Sequence, residues 1–272
     1  MSIEIIRPRS GTQSVLTVWR LEYMEDGWES TLEAFDAVSV KILDGHRVFR
    51  AKSAEAILDA ASVSGCSLHG WGYHYCRNIE EAEREGKSAA KMANKLGLHS
   101  YWMNVEKHWG GTSGQPHTED PPAAAIAFVT AFKQHSHAKL FFNGFSWRHT
   151  SKDAGLRPLC TEEVIEAFDA FGPMCYGTTR KTIARKWRGR SRRVPDGVSW
   201  APMVGTGRVD HRGNVWGFAD DGGGHPGIIT LNKECPADIV AFFYGGGCQG
   251  MLTKGNDHNP PLPEVAEMLR GL

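Results

Sequence analysis

The chain has 272 residues, 41% of them hydrophobic, which suffices for a large core and matches the roughly 250 residues of one β/α barrel. Lysine plus arginine and aspartate plus glutamate both number 31, so no global field selects DNA, RNA or an anionic membrane, and nucleic acid is not expected as a partner. Residues 1–10 are charged and lack an apolar core, and no apolar run approaches the roughly 20 residues of a membrane helix; the expectation is a soluble protein without a visible signal peptide, made in the cytoplasm.

Apolar strands and amphipathic helices alternate along the chain. Strands are predicted at Val15–Leu21, Val38–Leu43, Leu68–Tyr75, Ser100–Glu106, Lys139–Phe145, Pro173–Tyr176, Ser199–Val204 and Gly250–Thr253. Helices are predicted at Trp28–Phe35, Ser53–Ser64, Asn78–Leu96, Pro121–His135, Thr161–Phe171, Thr182–Arg193, Pro236–Tyr244 and Pro263–Arg270. Ser53 reads as an N-cap, Asn78 as a cap with Glu81 at the capping-box position, and Gly97 and Gly172 as helix stops. Eight strand–helix units in one chain predict a parallel sheet closed into a single (β/α)8 barrel over residues 1–272. Two loops exceed the minimal unit: Gly110–Asp120, and a Gly-rich insertion at Gly205–Cys235 after the seventh strand. Both should overhang the carboxyl mouth of the barrel.

The six cysteines, at positions 66, 76, 160, 175, 235 and 248, form no CxxC pair and no short metal spacing, so buried thiols are expected rather than disulfides or a metal centre. No cofactor is implied. The carboxylate that stands out is Glu106, at the tip of the predicted fourth strand. Strand alternation puts Trp102, Asn104, Glu106 and His108 on one face and Tyr101, Met103 and Val105 on the other. Glycoside hydrolysis needs a protonated and an ionised carboxyl across a cleft, and Glu106 is the candidate acid, with Trp102 and Trp109 nearby as apolar neighbours. Asp44 at the end of the second strand and Asp210 beyond the seventh are candidates for its partner. The nine tryptophans suit sugar stacking. Candidate ligand contacts are Asn104, His74, Tyr73, Trp102, Trp109, Asn143, Tyr176 and Trp216.

Lys41-Ile42-Leu43-Asp44-Gly45, Gly70-Trp71-Gly72-Tyr73-His74-Tyr75 and Asn104-Val105-Glu106 together resemble the family 25 glycoside hydrolases, the β/α-barrel lysozymes, over residues 37–109. The resemblance implies a peptidoglycan or related cell-wall glycan as substrate, and Glu106 as the catalytic acid. With no visible leader it also implies a phage lysin or virion tail component, with other tail proteins as partners. Asn104 stands where that family has an aspartate, and no acid is evident on the first strand. A non-catalytic glycan-binding or structural barrel is therefore the alternative.

Asp210, His211, Asp220, Asp221 and His225 would have to converge for a metal-dependent hydrolase, but solvated loop residues account for them as well. The basic run Arg180, Lys181, Arg185, Lys186, Arg188, Arg190, Arg192 and Arg193 reads as a solvated outer helix, since its positions go all round the helix.

Overall fold

The computed structural model describes residues 11–18, 27–106, 109, 118–144, 161–175, 180–192, 194–209, 215–217, 232 and 235–244. Its strands are β1 (Gln13–Val18), β2 (Ala37–Asp44), β3 (Arg47–Val48), β4 (Ser67–Tyr73), β5 (Ser100–Val105), β6 (Lys139–Gly144), β7 (Ala170–Pro173), β8 (Ser199–Trp200), β9 (Met203–Val209), β10 (Val215–Gly217) and β11 (Ile239–Tyr244). Helices α1 (Ala51–Val63), α2 (Ile79–Lys95), α3 (Pro121–His135), α4 (Glu162–Glu166) and α5 (Arg180–Ser191) lie between strands, with a 3-10 helix at Trp28–Ala34.

Strand neighbours run β9-β11-β1-β2-β4-β5-β6-β7-β8, all parallel. The two ends of that path, β8 and β9, are separated only by Ala201 and Pro202. Across the break, the Ala201 amide donates to Phe171 O at 2.9 Å and the Cys175 amide to Met203 O at 2.7 Å. On the other flank the amides of Asp238 and Ala241 donate to Trp200 O and Pro202 O, each at 3.0 Å. Residues 199–209 are thus one strand hydrogen-bonded on both sides, interrupted where Pro202 has no N–H to give. The sheet closes into the expected eight-stranded parallel barrel, the β8–β9 segment being its seventh strand.

Two apolar layers follow from the alternation. Val15, Ala37, Trp71, Trp102, Phe141, Ala170, Met174, Ala201, Met203, Ile239 and Ala241 fill the interior. Tyr101, Met103 and Val105 face outward among Phe128, Phe132 and the alanines of α2 and α3. Large and small residues share the interior: a side chain at Gly172 would put its Cβ 2.9 Å from Cζ3 of Trp102. Gly70 and Gly72 face outward, where a Cβ on Gly70 would lie 2.7 Å from Leu98 Cδ1 and one on Gly72 2.8 Å from His74 Nε2. The Gly-Trp-Gly pattern of β4 therefore reflects close packing of the outer face against side chains of the adjacent strands and Leu98.

Several boundaries differ from the sequence reading. Pro236–Tyr244, read as a helix, contains β11, the eighth barrel strand; Gly250–Thr253 lies outside the described residues. Buried on both faces, this strand shows a continuous apolar run instead of alternation. The helix expected over Thr161–Phe171 ends at Glu166, and Gly172 lies inside β7. Residues 205–209, assigned to the insertion, extend β9, and β10 pairs back on it antiparallel. Helix α1 starts after Arg50, not at Ser53. The Asn78 cap holds: its side chain accepts from the Glu81 amide at 2.9 Å, and Glu81 Oε2 accepts from the Arg77 amide at 2.9 Å. Cys66, Cys76 and Cys175 are buried thiols.

Candidate active site at the carboxyl mouth

Strand register orders the inner face into rows. A buried polar row below the mouth holds Ser39, His69 and Ser100, with Thr17 beside Ser39. Above it Lys41, Trp71, Trp102, Phe141 and Ala170 form an aromatic floor. At the mouth stand Asp44, Tyr73, Asn104, Asn143 and Gly172. Glu106 follows the last residue of β5, the fourth barrel strand, and is half-buried at the rim.

Asn104 is buried and donates from Nδ2 to Glu106 Oε1 at 3.2 Å, while its Oδ1 is enclosed without a hydrogen-bond partner. An amide here orients the neighbouring carboxylate without adding a second negative charge. Tyr73 adjoins Asn104 in the row. Its hydroxyl is pushed up, by burial first and then by Glu106, with Tyr75 and Asp44 adding, so the phenol remains protonated and can donate. Asn143 Nδ2 donates to Gly172 O at 3.0 Å and holds the next position of the rim.

Asp44 reaches this row through a bulge. The register of β2 against β4 shifts between Lys41 and Leu43, so Lys41 and Asp44, three residues apart, share the inner face. Lys41 Nζ then binds Asp44 Oδ2 at 2.9 Å, and the Tyr75 hydroxyl donates to Asp44 Oδ1 at 2.9 Å. Both oxygens of the candidate second carboxylate are engaged. Burial first, and then the bond to Asp44, push Tyr75 up to about 12. Lys41 and Tyr75 escaped the sequence reading, because regular alternation would put Lys41 and Asp44 on opposite faces; the inserted residue has no signature in the sequence.

Three expected ligand contacts are placed elsewhere. His74 faces outward and is fully buried, with Nδ1 2.8 Å from Glu85 Oε2 and Nε2 2.8 Å from the Tyr101 hydroxyl. Burial would raise the Glu85 carboxyl, but His74 and the amides of Tyr75 and Cys76 together hold it below its ordinary value. Trp109 is 1% exposed in the outer layer and donates from Nε1 to His74 O at 2.8 Å, fastening the segment after β5. Trp102 is 1% exposed and belongs to the floor, edge-on to Phe141 with centroids 5.0 Å apart. None of the three offers a free ring face at the mouth, because the aromatic surface is consumed by packing.

Asp210 and Tyr176 lie outside the described residues, as do His211, Asp220, Asp221 and His225; Trp216 is described only as backbone in β10. Among the described residues no three His, Cys, Asp or Glu side chains gather as metal ligands. The basic run is not solvated all round: Arg190 is 2% exposed and donates from Nη1 to Met174 O at 3.1 Å, and Trp187 is fully buried.

No family model matches the sequence, and no curated protein does. Solved structures share the architecture. A chitinase from Rhizomucor miehei is 11% identical with a TM-score of 0.62, covering 94% of this chain and 100% of that one. A GH18 chitinase from Pseudoalteromonas aurantia is 12% identical with a TM-score of 0.60, covering 94% and 99%. The spore cortex-lytic enzyme of Bacillus megaterium is 8% identical with a TM-score of 0.65, covering 97% of this chain and 75% of that one. These neighbours overturn the resemblance to family 25. The motifs behind it are features of barrel construction here: Gly70 and Gly72 leave room for side chains of the neighbouring strands and for Leu98, and His74 belongs to the outer layer. The chain has the (β/α)8 fold found in these glycoside hydrolase barrels.

Proposed function

We propose that this protein is a glycoside hydrolase acting on peptidoglycan or a related cell-wall glycan, with Glu106 as general acid. The observation that carries the reading is Glu106 at the carboxyl end of the fourth barrel strand, held by Asn104 at 3.2 Å and adjoined by the protonated Tyr73 phenol. The glycan-directed titles of the structural neighbours support a saccharide substrate, and the cortex-lytic enzyme among them supports a wall polymer. A lysin or virion tail setting, with tail proteins as partners, is proposed from the wall substrate alone. In the reaction Glu106 donates its proton to the glycosidic oxygen of the leaving sugar. Asn104 orients that carboxyl, and the Tyr73 hydroxyl donates to substrate oxygen at the same rim.

A second reading, a barrel that binds glycan without cutting it, is favoured by Asn104 in place of an acid and by the engagement of both Asp44 oxygens. One experiment separates the two: turbidity and product analysis of purified peptidoglycan with the wild type and with Glu106→Gln. The hydrolase reading expects a rate loss of about 10²–10⁴ on substitution with unchanged thermal unfolding. Wild-type rates in Glu106→Gln would remove Glu106 from the chemistry. Binding without cleavage by the wild type would establish the binding barrel.

A further inference from the structure

The barrel interior holds a polar row that the mouth does not use. Thr17, Ser39, His69 and Ser100 stand opposite one another in register on β1, β2, β4 and β5. Each lies two residues from an interior apolar side chain of its own strand, Val15, Ala37, Trp71 and Trp102 respectively, so all four point inward. All four are buried. The hydroxyls of Thr17, Ser39 and Ser100 have no hydrogen-bond partner within the protein. A buried hydroxyl left unpaired is costly, and three of them in one row call for a common partner.

The spacing selects that partner. Adjacent strands lie about 4.8 Å apart and a hydroxyl pair bonds at about 2.8 Å, so short side chains in register fall short of one another. One water making two bonds of that length spans the gap. Barrel interiors are ordinarily filled by bulky branched residues, and a serine on either side of His69 leaves room there. Burial first, and then the charge of His99, lower the His69 pKa to about 3, so its ring is neutral. The Trp102 indole donates to its Nδ1 at 3.5 Å, which puts the ring proton on Nε2 as a further donor. A neutral row with donors and acceptors together suits water, and neither a cation nor an anion.

From this placement we propose that the barrel interior binds ordered water between Ser39, His69 and Ser100, with Thr17 extending the site to β1. The water accepts from His69 Nε2 and bridges the serine hydroxyls. By taking that proton it leaves Nδ1 to accept from Trp102, two residues before Asn104 on β5 and part of the floor below the mouth. Trp71, its neighbour in the floor, is tied by its own indole to Val18 O at 3.0 Å. With both indoles fastened, the floor separates the water from the mouth and slows its exchange. The site does not depend on the hydrolase reading, since a barrel that only binds glycan has the same interior.

The test is oxygen-17 relaxation dispersion of water in a solution of the full chain, which counts long-lived internal waters. Ser39→Val fills the proposed position with methyl groups. It should lower the dispersion amplitude by about one water per molecule, while waters elsewhere cancel in the difference. An unchanged amplitude in folded Ser39→Val overturns the proposal. Ser39→Ala decides by a second route that does not need the bulkier variant to fold. In a hydrated row the alanine removes a satisfied hydroxyl and strips the water of a partner, so the unfolding temperature should fall by about 2–4 °C. In a dry row it removes an unpaired buried group, and the unfolding temperature should rise. A rise, or no change, overturns the proposal. Neither readout uses glycan, so cleavage of wall polymer by the same protein bears only on the hydrolase reading.

Discussion

His69 makes the barrel interior sensitive to acid. It faces inward, is 2% exposed, and lies in register between Ser39 and Ser100, whose hydroxyls are buried without partners. Its Nδ1 is 3.5 Å from the donating Trp102 Nε1. Burial first, and then the charge of His99, lower its pKa from 6.5 to about 3. The unfolded chain therefore binds a proton that the native interior refuses, so stability is intact above pH 6.5 and is lost as pH falls towards 3. Between about pH 7.5 and about pH 5 the loss is about 2 kcal/mol, from roughly 1.4 kcal/mol per pH unit below the unfolded pKa. His69→Asn keeps an oxygen where Nδ1 accepts from Trp102 but cannot take up the proton. Urea unfolding across that pH range should show the wild type losing about 2 kcal/mol more than His69→Asn, while contributions of other groups cancel in the difference. Parallel stability curves for the two proteins would refute the argument.

Other consequences are equally open to measurement. Under the hydrolase reading Asn104→Ala removes the hydrogen bond that orients the protonated Glu106, and loss of a neutral bond of about 0.5–1.5 kcal/mol should lower kcat by about two- to tenfold with little change in unfolding temperature. Glu85→Ala strips partners from His74, Tyr75 and Cys76 in a buried network and should cost about 3–5 kcal/mol in denaturant unfolding. If Glu85→Ala unfolds like the wild type, the network contributes nothing to the outer layer.

Local sequence chemistry was sufficient for the alternation of elements, for the Asn78 cap, and for the position of Glu106 at the end of the fourth barrel strand. Each depends on residues close together in the chain: period 2 fixes the faces of β5, and the Asn78–Glu81 spacing fixes a helix start. The eighth strand was misread because Ile239–Tyr244 is buried on both faces, where a continuous apolar run does not distinguish strand from helix. The mouth depended on tertiary structure. A one-residue bulge in β2 turned Asp44 inward onto Lys41, and packing against α2 and α3 took His74 and Trp109 away from the ligand side. Closure of the ring joined β7 to β11 through residues 199–209. Face and cap are properties of neighbours in sequence, whereas which half-buried ring stays open at the mouth depends on what packs behind it, and those partners lie on strands and helices distant in the chain.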